Sequence, residues 1–451
     1  MVGSNLAPSR TAKTPAMLNP GWIHGSGQNG IGKINTVTSA STAFSQIQDG
    51  YNAFKARRLD LNLTRGKPSS AQLDLSSALL ALPGPNDCQA EDGTDCRNYG
   101  GLQGLPEARR LFSGLLGAPP EQVVVANNSS LALMHDAVAF ALLKGTCDSA
   151  TPWALERGIS FLCPVPGYDR HFRICEDYGI KMIPVALRDN GPDIDEIERL
   201  VASDASIKAM WCMPKYSNPT GTVYSDAVIE RLAAMPTAAA DFRLLWDNAY
   251  AVHHLTDERV AIVNVLELSA RHGHANRPFV FASTSKITLA GAGLALFAAS
   301  PANVKWLVAR ITPRTIGPDK INQLRHVRFL RDDAGIQALM ESHRAIVAPK
   351  FKAVLDVFAS LLSGVPGVSW TTPKGGYFIA LSVPPGCARR VVQLAKEAGL
   401  ELTPAGATHP YGKDPDDRVI RIAPTFPELA DVERAAEGVA WSVLMACQAT
   451  G

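Results

Sequence analysis

Between residues 121 and 286 the chain alternates short apolar runs with amphipathic stretches, and this alternation restricts the possible folds more than any other feature. Runs at 122–126, 159–163, 181–186, 207–213, 243–246 and 278–282 have the length and apolar content of buried strands. Helical patterns lie between them, one running through Leu143 and one over 193–201. Strands joined through helices run parallel, because the return path crosses a face of the sheet. The expected fold class is therefore α/β: a mainly parallel central sheet flanked by helices, with a smaller α+β domain after it. A seventh strand is expected at 294–298, and a long helical region at 320–362.

Ligands of such sheets bind beyond the carboxyl ends of the strands. Polar residues gather at those ends. The first strand runs into Asn127, Asn128, Ser129 and Ser130, and the second into a Pro/Gly turn that carries Tyr168 and His171. Strand 207–213 leads to a second such turn holding Asn218, strand 243–246 to Asp247 and Tyr250, and strand 278–282 to Ser283, Ser285 and Lys286. A lysine at a buried strand end is partly desolvated, which disfavours its ammonium form; the neutral amine is what a Schiff base with an aldehyde requires. Ser129 and Ser130 precede a helix, where free N–H groups and the positive dipole end accept a phosphate; a plain serine N-cap is the alternative. Tyr99 sits in a glycine-rich stretch from which an aromatic hydroxyl can reach a ligand.

Length and charge narrow the field. A chain of 451 residues supports one large and one smaller domain. The expected division is a flexible extension at 1–42, a segment at 43–98 joining the small domain, a large domain at 99–319, and a helical bridge with the C-terminal small domain at 320–451. A net charge of +2 gives no footing for nucleic acid. The longest apolar run, near 294–299, falls far short of the ~20 residues of a membrane span. Eight cysteines without paired short spacing carry no zinc or redox motif. Cys88 and Cys96 could bridge, with free thiols in a reducing cytosol as the expected state. His253, His254, His272 and His274 lack acidic partners at metal-ligand spacing, so no metal is expected. Arg325, Arg328 and Arg331 read as a solvated helix face. The first 48 residues hold no Asp or Glu and are rich in Ser, Thr and Gly, as in a flexible extension. An organelle transit peptide is the alternative, and a cytoplasmic location is expected.

In order and approximate spacing, Tyr99, Ser129, Tyr168, Asn218, Asp247, Tyr250, Ser283, Lys286 and Arg421 resemble the catalytic set of the fold-type I pyridoxal phosphate enzymes, specifically the class I aminotransferases. The likeness runs from about Leu61 to the C-terminus. Phrases such as Leu63 to Pro68, Arg97 to Gly101, Pro164 to His171 and Ile316 to Lys320 resemble the subgroup Ic aspartate aminotransferases. The resemblance implies pyridoxal 5′-phosphate bound by the 99–319 domain, with Lys286 as Schiff-base lysine and proton shuttle. It implies Asp247 under the ring nitrogen, His171 orienting Asp247, and Tyr168 stacked on the ring. Asn218 and Tyr250 would bond the phenolic oxygen. Ser129, Ser130, Ser283, Ser285 and a neighbouring subunit's Tyr99 would hold the phosphate. Arg421 would clamp the substrate α-carboxylate, with Gly66 and Tyr377 lining the mouth. A homodimer with shared active sites is implied, and ping-pong transfer between an L-amino acid and a 2-oxo acid, aspartate and 2-oxoglutarate being the expected pair. An aminotransferase for alanine or kynurenine, or a C–S β-lyase, is the alternative on the same site. A transcription regulator is disfavoured, since residues 1–60 are too short and glycine-rich for a helix-turn-helix. One departure is visible: many class I members carry a phosphate-binding arginine eight residues after the lysine, where this chain has Leu294. Arg314 or Lys320 is expected to take its part. For a distal substrate carboxylate Arg65, Lys67, Arg170, Lys215 or a partner residue all stay open.

Overall fold

A computed structural model describes residues 40–448 of the chain. The extension expected at 1–42 therefore lies outside the described residues, except for the first turn of helix Ala40–Ala56. The central sheet has eight strands: β1 Val123–Val125, β2 Ser160–Val165, β3 Lys181–Arg188, β4 Gly191–Pro192, β5 Ile207–Cys212, β6 Arg243–Asp247, β7 Pro278–Ser283 and β8 Ala295–Ala298. Their spatial order is β1-β8-β7-β6-β5-β2-β3-β4. The run β7-β6-β5-β2-β3 is parallel throughout. Strands β8 and β4 are antiparallel to their neighbours. Eleven residues separate β7 from β8, fewer than a parallel crossover needs, so the chain turns back as a hairpin.

Alternation along each strand feeds two apolar layers. Leu162, Met210, Leu244 and Val280 face one side, packed with Phe112, Ile229 and Leu324. Phe161, Trp211, Leu245 and Phe281 face the other, packed with Met134, Val138 and Leu307. Burial on both faces is what the near-continuous apolar runs require. A third core surrounds the antiparallel sheet of β9 Ser369–Trp370, β10 Ile379–Ser382 and β11 Val419–Ile422. Val347, Val354 and Phe358 of helix Asp333–Leu362 and Val432, Val439 and Val443 of helix Leu429–Cys447 fill it.

The helical region expected at 320–362 is two helices, Lys320–Leu330 and Asp333–Leu362. Arg331 adopts φ +66°, Asp332 caps the second helix by accepting from Gly335 N at 2.8 Å, and a Cβ on Gly335 would meet the Leu330 carbonyl oxygen at 1.9 Å. The break is thus built from one strained residue, one cap and one close approach. The arginine face expected at 325–331 is also corrected. Arg328 makes a two-pronged pair with Asp87, both contacts 2.9 Å, and Arg325 Nε donates to Asn322. The thiols of Cys88 and Cys96 lie near the Gly84 and Thr94 carbonyls rather than on each other. No helix among the described residues is long and apolar enough to cross a membrane.

Candidate active site

The carboxyl ends of β1, β2, β5, β6 and β7 share one edge of the sheet, and Ser129, Tyr168, Asn218, Asp247 and Lys286 all follow strands there. Asp247, the last residue of β6, is buried. Its Oδ2 accepts from His171 Nε2 at 3.0 Å, and the His171 ring stacks on Trp211 with centroids 4.3 Å apart and planes within 7°. Tyr168 meets His171 edge-on at 5.0 Å. Burial, aided by the Asp247 charge, pushes the Tyr168 hydroxyl up to about 12. The second Asp247 oxygen, Oδ1, is buried and has no hydrogen-bond partner in the chain. A lone buried carboxylate oxygen is costly unless a ligand donor reaches it.

Lys286 follows β7 in a turn where Ile287 N and Thr288 N both bond the Thr284 carbonyl, at 2.9 and 2.8 Å. Its Nζ lies 5.2 Å from the Tyr250 ring centroid and 5.9 Å from that of Tyr377. Burial lowers the lysine pKa, only partly offset by the charge of Asp247. Burial also raises the Tyr250 hydroxyl well above its usual value. Three buried histidines brace the turn. His253 Nε2 donates to the Lys286 carbonyl at 3.2 Å, and His343 Nε2 donates to the Ile287 carbonyl at 2.9 Å. His326 Nε2 accepts from the Thr288 hydroxyl at 2.9 Å. Gln72 Nε2 donates both to His343 Nδ1 and to the Tyr377 hydroxyl, tying the turn to the far wall.

Arg421, on β11, reaches the site from the other core. Its Nη1 donates to Asp169 Oδ1 at 2.8 Å and lies 3.4 Å from Asn218 Oδ1, while its Cζ sits 5.0 Å from the Phe378 ring centroid. Its Nε is buried without a partner. Gly66 lies against the same phenyl ring: a Cβ there would meet Phe378 Cζ at 2.4 Å. Asn218, Tyr250 and Tyr377 are all buried.

At the other end of the site, Ser129 Oγ accepts from Ala132 N at 3.1 Å and caps helix Ser130–Lys144, so the N-cap reading of this serine holds. Ser283 is buried and Ser285 half-buried, both beside Lys286. Tyr99 stands apart, 77% exposed. Leu294 is fully buried, its N–H donating to Thr284 Oγ1 at 2.8 Å. Neither cation expected to replace an arginine there is unengaged. Arg314 pairs with Asp136 at 3.1 Å, and Lys320 Nζ donates to the Asn98 and Gly100 carbonyls at 2.6 and 2.8 Å. Of the distal-carboxylate candidates, Lys215 donates to the Ala251 carbonyl at 2.6 Å and is lowered to about 8 by burial, and Lys67 lies over the Phe426 ring. Arg65 and Arg170 are exposed.

This donor set fits an aromatic aldehyde with a basic ring nitrogen: an unpartnered buried carboxylate oxygen, a lysine whose pKa burial lowers, and a phenol and an amide for a ring oxygen. Trp211, Phe378, Gln72, Asp169 and the bracing histidines were not anticipated. Of these, Asp169 lies within the Pro164–His171 turn, Phe378 follows Tyr377 and His253 comes three residues beyond Tyr250, so each stood beside a residue the sequence had singled out. Among the described residues no group of three or more His, Cys, Asp or Glu side chains is arranged to hold a metal.

The family described as aspartate amino-transferase matches residues 36–450. A provisionally named aminotransferase of Mycolicibacterium smegmatis is 56% identical over 401 residues, covering 88% of this chain and 94% of its own. The aspartate aminotransferase of Corynebacterium glutamicum is 48% identical over 400 residues, covering 89% and 92%. A crystal structure of an aspartate transaminase from Corynebacterium glutamicum superposes with a TM-score of 0.89 at 47% identity, covering 91% of this chain and 97% of its own.

Proposed function

The chain belongs to the aspartate amino-transferase family, and on that footing we propose that it moves an amino group between L-aspartate and 2-oxoglutarate with pyridoxal 5′-phosphate as cofactor. The observation that carries the reading is the buried, partnerless Oδ1 of Asp247, whose charge is felt by an enclosed lysine of lowered pKa. When bound, the cofactor supplies an aldehyde for the amine and an electron sink for the carbanion. Asp247 would hold a proton on the ring nitrogen, with His171 fixing the carboxylate through Oδ2 and Trp211 fixing His171. Tyr168 would cover the ring face. Asn218 and the protonated Tyr250 would donate to the ring oxygen. Lys286 Nζ, its ammonium form disfavoured by desolvation, would attach the aldehyde and afterwards take and return the substrate's α-proton. Arg421 would grip the α-carboxylate as guanidinium grips carboxylates generally. The Ser129–Ser130 helix start, Ser283 and Ser285 would receive the phosphate, joined by Tyr99 of a second subunit.

The proposal extends to a homodimer with shared sites acting in the cytoplasm. It also extends to a large domain at 99–319 and a small one built from 43–98 and 320–451; the separate apolar core around β9, β10 and β11 supports a small domain, while Leu324 and Leu330 of helix Lys320–Leu330 pack in the central-sheet core. Mixing the yellow holoenzyme with single amino acids tests the reading: aspartate and glutamate bleach the visible band in a half-reaction that 2-oxoglutarate reverses. Release of pyruvate and ammonia from cysteine conjugates would speak for a β-lyase instead. Lys286→Ala abolishes the half-reaction, a loss on the order of 10⁴-fold or more, while cofactor still binds noncovalently; full turnover by this variant would sink the assignment.

A further inference from the structure

The guanidinium that the proposed function gives to the substrate already holds a carboxylate. Asp169 Oδ1 accepts from Arg421 Nη1 at 2.8 Å across 252 positions of sequence. The Arg421 side chain is 9% exposed and that of Asp169 35%, so the acid is the outer member of the pair. Arg421 is otherwise enclosed, with the Phe378 ring 5.0 Å from its Cζ and Asn218 Oδ1 at 3.4 Å from Nη1. A desolvated guanidinium with no anion is costly, and Asp169 is the acid that meets this need in the free chain.

We propose that Asp169 is a built-in competitor for the substrate carboxylate: it fills the Arg421 clamp between turnovers and yields to each incoming α-carboxylate. This rests on the reading of Arg421 given above. Asp169 and an amino acid present the same chemical group to the same donors, so binding is an exchange of one ion pair for another. Exchange keeps ground-state affinity modest, which favours product release over tight uniform binding. The displaced carboxylate has a second home. Asp169 is the first residue of helix Asp169–Asp177, where the positive end of the dipole stabilises an anion. A change of side-chain rotamer carries it from one partner to the other, and the step happens beside Tyr168, the ring-covering residue. Asp169 therefore sets the affinity for every amino acid and oxo acid the enzyme takes, without touching the reacting carbon.

Calorimetric titration of the holoenzyme with succinate, a dicarboxylate that has no amino group to react, tests this in the wild type, Asp169→Asn, Asp169→Ala and Arg421→Lys. Asn keeps the size and an oxygen for Nη1 while losing the charge, so it reports even if the alanine variant folds poorly. Succinate binds both Asp169 variants more tightly, on the order of tenfold. KM for amino acid and oxo acid falls in parallel while kcat does not rise. Unchanged or weaker succinate binding in Asp169→Asn at a wild-type melting temperature would make Asp169 a brace for Arg421 and overturn the inference. Arg421→Lys reports separately: if it binds succinate as the wild type does, the clamp itself is misassigned, whatever Asp169 does.

Discussion

At the scale of single residues the site is governed by close approaches as much as by charges. Gly66 has no room for a side chain because Phe378 lies against it, and the same ring lies beside Arg421. Gly66→Ala therefore pushes on the platform beneath the carboxylate clamp. The expected result is a loss of about 1–3 kcal/mol of stability from overpacking, together with a raised KM, read by thermal melting and steady-state kinetics; an unchanged KM would uncouple Phe378 from Arg421. Asp247 and Lys286 were legible in the sequence because each ends an apolar run, where chemistry and strand pattern coincide. Asp169 was not. Its role depends on a guanidinium 252 positions away, and nothing local distinguishes it from an ordinary acid in the first turn of a helix. Leu294 was legible as an absence, but what replaces the missing arginine was not, since Arg314 and Lys320 are tied to partners that only the fold brings near.

Among elements, the turn after β7 is held by side chains from three other segments. His253, His326 and His343 contact it from the segments at 247–254, 320–330 and 333–362, and burial lowers the pKa of all three. His326 is brought down to about 4. A histidine whose folded pKa lies below its unfolded value of ~6.5 is protonated first in the unfolded chain, so its contribution is complete above that value and is lost as pH falls toward the folded pKa. For His326 the window runs from about 6.5 to about 4, and the loss amounts to about 3 kcal/mol at most. Melting followed between pH 7.5 and 5 shows a falling midpoint, and His326→Gln lowers the midpoint at pH 7.5 but flattens the fall. A fall just as steep in the variant would shift the blame to His253 and His343. Strands and helices were readable to within a few residues wherever period and length agreed. The split at Arg331 and the hairpin return of β8 were not read. The first depends on a glycine meeting a carbonyl five positions back, at Leu330, and the second on a connection length whose meaning emerges only once both strands are in the sheet.

Across the whole molecule, the residues assigned to one reaction come from separate cores: Lys286 and Asp247 from the edge of the central sheet, Arg421 from the sheet of β9, β10 and β11. Tyr99 belongs to neither wall, and its exposed ring, on a loop pinned by Lys320, leaves it available to a second copy. Hybrids test this directly. Under the proposed shared-site dimer, Lys286→Ala and Tyr99→Ala are each crippled alone, while mixing and refolding them together gives hybrids in which one site has an intact lysine and an intact tyrosine, so activity returns. No recovery on mixing would mean that each chain serves itself. The stapled turn has its own consequence for how the amine moves. Thr284 N reaches the Leu294 carbonyl at 2.9 Å, Ser283 pairs with Ala295, and three imidazoles hold what lies between. The amine therefore rides on a fixed pier, and its travel is bond rotation along one side chain rather than movement of the backbone. The crane can swing while its footing stays still.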